Sequence, residues 1–84
     1  MTDRPLITME NYAAMHKAAY FIVQSYQRRG FNARWTRDHL QQDMTKARRA
    51  GLWSADQYTL AAEIYRDCIH RLFGELLTFD VAVE

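Results

Sequence analysis

Two arginine pairs, each running into a glycine, limit what this chain can fold into: Arg28-Arg29-Gly30 and Arg48-Arg49-Ala50-Gly51. Cations suit the negative end of a helix, and glycine adopts the left-handed conformation that terminates one. Elsewhere the 84 residues hold one proline and one further glycine, Gly74, so little else interrupts a helical run. The spacing predicts an all-α fold, either a three-helix bundle or a helical hairpin plus a third helix. The helices are expected over about 9–29, 33–50 and 55–77. A chain of this length has room for one core, so residues 1–84 are read as a single domain. Residues 1–8 and 78–84 are its tails, flexible or docked.

Local signals support each helix. Thr8 is a candidate N-cap for the first, with Glu10 where the dipole favours negative charge. Met9, Tyr12, His16, Ala19, Tyr20, Val23 and Tyr26 share one face at helical spacing. Phe31 follows Gly30, where an apolar contact often closes a helix end. The second helix starts from Asn32 or Thr36, since both cap well. Its apolar stripe is thin: Leu40, Met44 and Ala47, with Ala33 if Asn32 is the cap. Ser54 and Gln57 form a capping box for the third helix, and Trp53 and Tyr58 stand where a hydrophobic staple would. The core face of that helix reads Tyr58, Ala61, Ala62, Tyr65, Ile69, Leu72, Phe73 and Leu76. Gly74 weakens it late, with fraying or an end expected near Leu77. Residues 79–84 alternate like a strand without a partner, so this tail docks on the bundle or stays loose.

Three apolar residues leave the one-sided pattern. Phe21 projects opposite the main stripe of the first helix, beside Lys17 and Arg28. Either tail could cover it; uncovered, it belongs to an oligomer or partner interface. Leu60 and Ile64 lie off the Tyr65–Leu72 face. A helix that touches two neighbours carries such a wide arc, and the competing reading makes the pair a self-association surface.

Net charge is +1, but it is unevenly spread. Between residues 28 and 49, seven cations (Arg28, Arg29, Arg34, Arg37, Lys46, Arg48, Arg49) face two aspartates, Asp38 and Asp43. Residues 54–84 carry six acids and two arginines. Either the middle pairs with the C-terminal helix inside the fold, or a basic face meets an anionic partner. Helix ends explain the two arginine pairs without any partner. Arg34, Arg37 and Lys46 are then the surplus.

Catalysis needs a reactive group, an activating partner and a dry pocket. Cys68 is the one candidate nucleophile and reads as a small apolar filler, because His70 lies on another side of the same helix. No phosphate loop, nucleophile elbow or zinc-protease helix motif occurs, so the chain is expected not to be an enzyme. Two Asp/His pairs share helix faces, Asp67 with His70 and His39 with Asp43, which is too little for a metal site. His16 reads as a hydrogen-bonded core histidine. No metal or cofactor is expected. Met1–Pro5 shows no basic-then-apolar leader pattern and no apolar run reaches membrane-spanning length, so the expectation is a cytoplasmic protein.

The resulting expectation is a small helical protein–protein interaction module: an adaptor, an inhibitor, or a small subunit of a larger bacterial or mobile-element assembly. It would bind an anionic protein surface through a basic helical face and exposed aromatics. The candidate contact residues are Phe21, Arg28, Arg34, Trp35, Arg37, Lys46, Arg48 and Arg49, with Leu60 and Ile64 for self-association as a homodimer. The alternative is a helix-turn-helix-like DNA- or RNA-binding domain. It would use the Arg28–Arg49 segment, with Gln41 and Gln42 as base readers.

Overall fold

The computed structural model describes residues 12–80, and within them the chain forms three helices: α1 (Tyr12–Arg28), α2 (Ala33–Arg49) and α3 (Ala55–Phe73). All three pack on one another, giving the expected all-α bundle. The expected Thr8 cap and the Met9 core position lie outside the described residues.

The helix ends follow the chemistry of their sequences. At the end of α1, Gly30 N–H donates to Gln27 O (3.0 Å) and Phe31 N–H to Tyr26 O (3.1 Å), with Gly30 at φ 95°. At the end of α2 the same pair of bonds recurs: Gly51 N–H to Arg48 O (3.1 Å) and Leu52 N–H to Ala47 O (2.9 Å). Both are Schellman closures, and both satisfy carbonyls that would otherwise be orphaned. The start of α2 is decided in favour of Asn32, whose side chain accepts from Trp35 N–H at 2.7 Å. Thr36 is instead buried one turn on, its hydroxyl donating to Asn32 O. The Ser54–Gln57 capping box forms with both reciprocal bonds, at 3.1 and 2.7 Å.

The third helix ends earlier than residue 77. Gly74 does not merely weaken α3. It takes φ 75° and donates its N–H to His70 O, a third left-handed stop. Leu76 therefore leaves the core face assigned to it and is 68% exposed. Ile64 moves the other way. At 2% exposure it sits in the core with Val23, Leu40, Met44, Tyr58, Ile69 and Cys68, so it is withdrawn from any self-association surface. Leu60 is half-buried against that core. A helix flanked by two neighbours needs this wide apolar arc.

The segment after Gly74 runs without regular structure and docks where it reaches the α2–α3 cleft. Phe79 is buried against Tyr65 and beneath the Arg37 guanidinium. Arg37 Nε donates to Thr78 O (2.8 Å), Tyr58 Oη to Asp80 O (2.9 Å), and Asp80 N–H to Gln41 Oε1 (2.8 Å). Gln41 Nε2 completes a buried polar ring by donating to Tyr58 Oη and Thr45 Oγ1. Burying a phenylalanine ring is worth about 2–3 kcal/mol and each bond about 1 kcal/mol net. Ordering the few residues involved costs about 1–2 kcal/mol apiece, so docking is nearly balanced.

Candidate protein-binding face

A helix turns about 100° per residue, so Trp35, His39, Gln42, Lys46 and Arg49 form one stripe of α2, opposite Leu40 and Met44. At its N-terminal end four residues make an aromatic column. Phe31 and Trp35 stack with ring centroids 3.8 Å apart and planes at 11°. Trp35 and His39 stack in turn at 4.9 Å and 6°. Tyr26, from the last turn of α1, stands edge-on to all three rings at 5.3–6.2 Å. Arg29 closes one end of the column, its guanidinium 5.3 Å from the Phe31 centroid, and the Asp43 carboxylate lies 3.7 Å from His39 Nε2 at the other. The Tyr26–Phe31 contact is also the apolar pair of the α1 Schellman closure, so the cap and the column share residues.

The column leaves its outer edge open, with Trp35 39% exposed. Both flat faces of Trp35 are covered, by Phe31 and His39, and Arg29 lies over Phe31. Arg28, Arg34, Lys46 and Arg49 are exposed and form no ion pair among the described residues. Arg49 and Lys46 continue the Trp35 stripe, Arg34 flanks it, and Arg28 belongs to the last turn of α1.

Two of the expected contact arginines serve the fold instead. Arg37 holds the tail through Thr78 O, through a 3.6 Å approach to Asp80 and through the Phe79 ring, with Asp38 as its neighbour at 2.9 Å. Arg48 reaches the Trp53 carbonyl at 3.4 Å, across the α2–α3 turn. Both point away from the Trp35 stripe, so they are withdrawn from the contact face. Gln41, a candidate base reader, is 8% exposed and committed to the tail; Gln42 remains exposed.

The charge segregation is not neutralised by pairing between the middle and α3. Among the described residues, Arg37 with Asp80 is the single ion pair between the basic segment and the acidic C-terminal part, and Asp80 lies beyond the helix. Asp67 turns to His16 Nε2 and to Arg71 Nε, each at 2.8 Å. The His16 bond, more than any other contact, lowers the Asp67 carboxyl below its ordinary value. His16 is thus hydrogen-bonded, as expected, but it is half-buried rather than in the core, because its partner is Asp67 at the helix surface, the aspartate that the sequence pairs with His70.

Phe21 is 68% exposed beside Ala14, Lys17, Ala18 and Gln24. Phe79, the apolar described residue of the C-terminal segment offered as its cover, lies in the α2–α3 cleft instead, and the N-terminal tail falls outside the described residues. Trp53 lines an apolar recess with Met15, Ile22, Ala61, Ile64 and Tyr65. Cys68 is fully buried, and burial pushes its thiol up to about 11, which keeps it protonated. Among the described residues no three metal-ligating side chains converge, and no helix is long and apolar enough to cross a membrane.

The sequence reading picked out Trp35 and the cations but missed Tyr26, Phe31 and His39 as parts of one site. Part of the signal was present: Trp35, His39 and Asp43 recur at four-residue intervals on α2, whereas Phe31 stands just before the Asn32 cap and joins them only through the turn. Comparison with known protein families, curated proteins and solved structures finds no match to this chain.

Proposed function

We propose that this chain is a protein-binding module whose contact face is the Trp35 stripe of α2. The aromatic column Phe31–Trp35–His39 would supply the apolar centre, and Arg28, Arg34, Lys46 and Arg49 a basic rim. The column carries this reading: Trp35 is held by rings on both sides and by Tyr26 beneath, so little freedom remains to be lost on binding. Rigid tryptophan and arginine contacts are the ones that dominate interface energies. The partner would be a protein surface with an apolar socket and acidic surroundings, which the exposed cations of the rim complement. An adaptor, inhibitor or small-subunit role is consistent with such a face. Nucleic acid is the less favoured partner. Base stacking needs open aromatic faces, whereas both faces of Trp35 are already covered, and one of the two candidate base readers is buried.

The test is affinity capture from a native lysate treated with nuclease. Wild-type chain is compared with Trp35→Ala and with the double variant Lys46→Glu/Arg49→Glu. A protein captured by wild type should be lost with either variant while far-UV helicity is unchanged. For a purified partner, Trp35→Ala should weaken Kd by about 30-fold, the size of a central interface residue. Capture that survives both variants refutes the face. Capture that disappears on nuclease treatment assigns it to nucleic acid.

A further inference from the structure

The docked tail lies in the α2–α3 cleft, on the side of α2 away from Trp35. Every side chain that the cleft directs at Thr78 and Asp80 through a hydrogen bond reaches a main-chain atom: Arg37 the Thr78 carbonyl, Tyr58 the Asp80 carbonyl, Gln41 the Asp80 amide. Main-chain bonds of this kind hold an extended segment whatever its sequence. Sequence enters at two points. Phe79 fills an apolar seat against Tyr65 under the Arg37 guanidinium, and the Asp80 carboxylate faces Arg37 at 3.6 Å. Gln41 donates to both Thr45 of α2 and Tyr58 of α3, which ties the polar side of the seat to the two helices.

The tether is also suited to release. Gly74 stops α3, and Glu75 and Leu76 are exposed before the docked residues begin. We infer that the α2–α3 cleft is a peptide-binding groove for an extended segment carrying an aromatic residue followed by an acidic one. In the isolated chain its own Thr78-Phe79-Asp80 occupies the groove as a stand-in. A partner protein presenting such a segment binds by displacing the tail. Charge supports an acidic segment as occupant: Arg34, Arg37 and Asp38 line the open side of the groove, and since Asp38 offsets Arg37 at 2.9 Å, Arg34 supplies the net positive charge there.

The experiment uses the full-length chain and a synthetic peptide of sequence Leu-Leu-Thr-Phe-Asp, blocked at both ends. In the wild-type chain the tethered tail competes at a high effective concentration. Phe79→Ala removes the anchor of the tail and leaves every groove residue intact. Binding is followed by the NMR shift of the Gln41 side-chain amide. The peptide should bind Phe79→Ala at least tenfold tighter than wild type, and replacing the peptide's own phenylalanine by alanine should abolish binding. If Phe79→Ala does not fold, Asp80→Pro serves instead, since it removes both the N–H that donates to Gln41 Oε1 and the carboxylate beside Arg37 while leaving every groove side chain in place. No binding to an opened chain, or equal binding to wild type, overturns the proposal. A wild-type dimer that dissociates when the tail anchor is removed also overturns it, by assigning the groove to tail exchange between copies.

Discussion

Asp67 joins two kinds of contact in one carboxylate: His16 donates to it from α1, and Arg71 donates to it from one turn further along α3. Both favour the charged form, the His16 bond most, and the carboxyl is held below its ordinary value of 3.8. An acid whose pKa is lower folded than unfolded adds stability above the unfolded value and loses it as pH falls through the folded one. The wild-type chain should therefore lose this contribution below pH 3.8, whereas Asp67→Asn should show no such loss from this site. The carboxylate is 40% exposed, so solvent screening limits its worth to about 0.5–1 kcal/mol near neutral pH. Urea unfolding of both proteins between pH 2 and 7 checks this; parallel curves through the acid range would show that Asp67 contributes nothing. Arg37 makes the complementary point. The sequence marks it as surplus charge, yet its guanidinium is consumed by Thr78, Asp80 and the Phe79 ring.

The helix boundaries were the most legible elements because caps act within a few residues. Asn32, Ser54, Gln57, Gly30 and Gly51 each do what their local sequence implies. Gly74 was legible as a glycine but not as a stop, since apolar Leu76 and Leu77 continue the pattern beyond it. At each of the three glycines φ is positive and a Cβ would meet nothing within 4 Å. Gly74→Ala should then cost backbone strain alone, about 1 kcal/mol. In a domain of this size that lowers Tm by about 4–8 °C, measurable by circular dichroism. An unchanged Tm would mean that α3 simply lengthens past residue 74. What sequence could not disclose is which elements meet. Ile64 and Gln41 are buried because α2, α3 and the tail converge on them, and neither residue announces a neighbour distant in the chain. The aromatic column lies between these cases: the four-residue spacing of Trp35 and His39 was visible, but Phe31 and Tyr26 join them only through the turn at Gly30.

At the scale of the molecule, charge is segregated, and among the described residues the two parts are joined by a single ion pair. The basic segment from Arg28 to Arg49 meets the acidic C-terminal part through Arg37 and Asp80 alone among the described residues, and both side chains reach solvent. The remaining pairs are local or join α1 to α3 at Asp67. Had attraction between α2 and α3 held the bundle, salt would screen it and lower Tm. Here the helices are joined by Leu40, Met44, Tyr58, Ile64 and Ile69, whose burial salt does not screen. Raising sodium chloride from about 0.05 to 0.5 M shrinks the screening length from roughly 14 to 4 Å, which covers exposed pairs. The loss should stay within a few tenths of a kcal/mol, a Tm change of about 3 °C or less. Partner binding through Arg34, Lys46 and Arg49 should respond in the opposite manner and weaken steeply over that same range. Calorimetry of the free chain, run beside titrations of a captured partner at both salt concentrations, measures the two responses. A Tm that falls by 10 °C would return the cations to the fold and remove them from the contact face. A stable Tm with salt-sensitive binding would support the proposed contact face, since it would show these cations acting on a partner rather than on the fold.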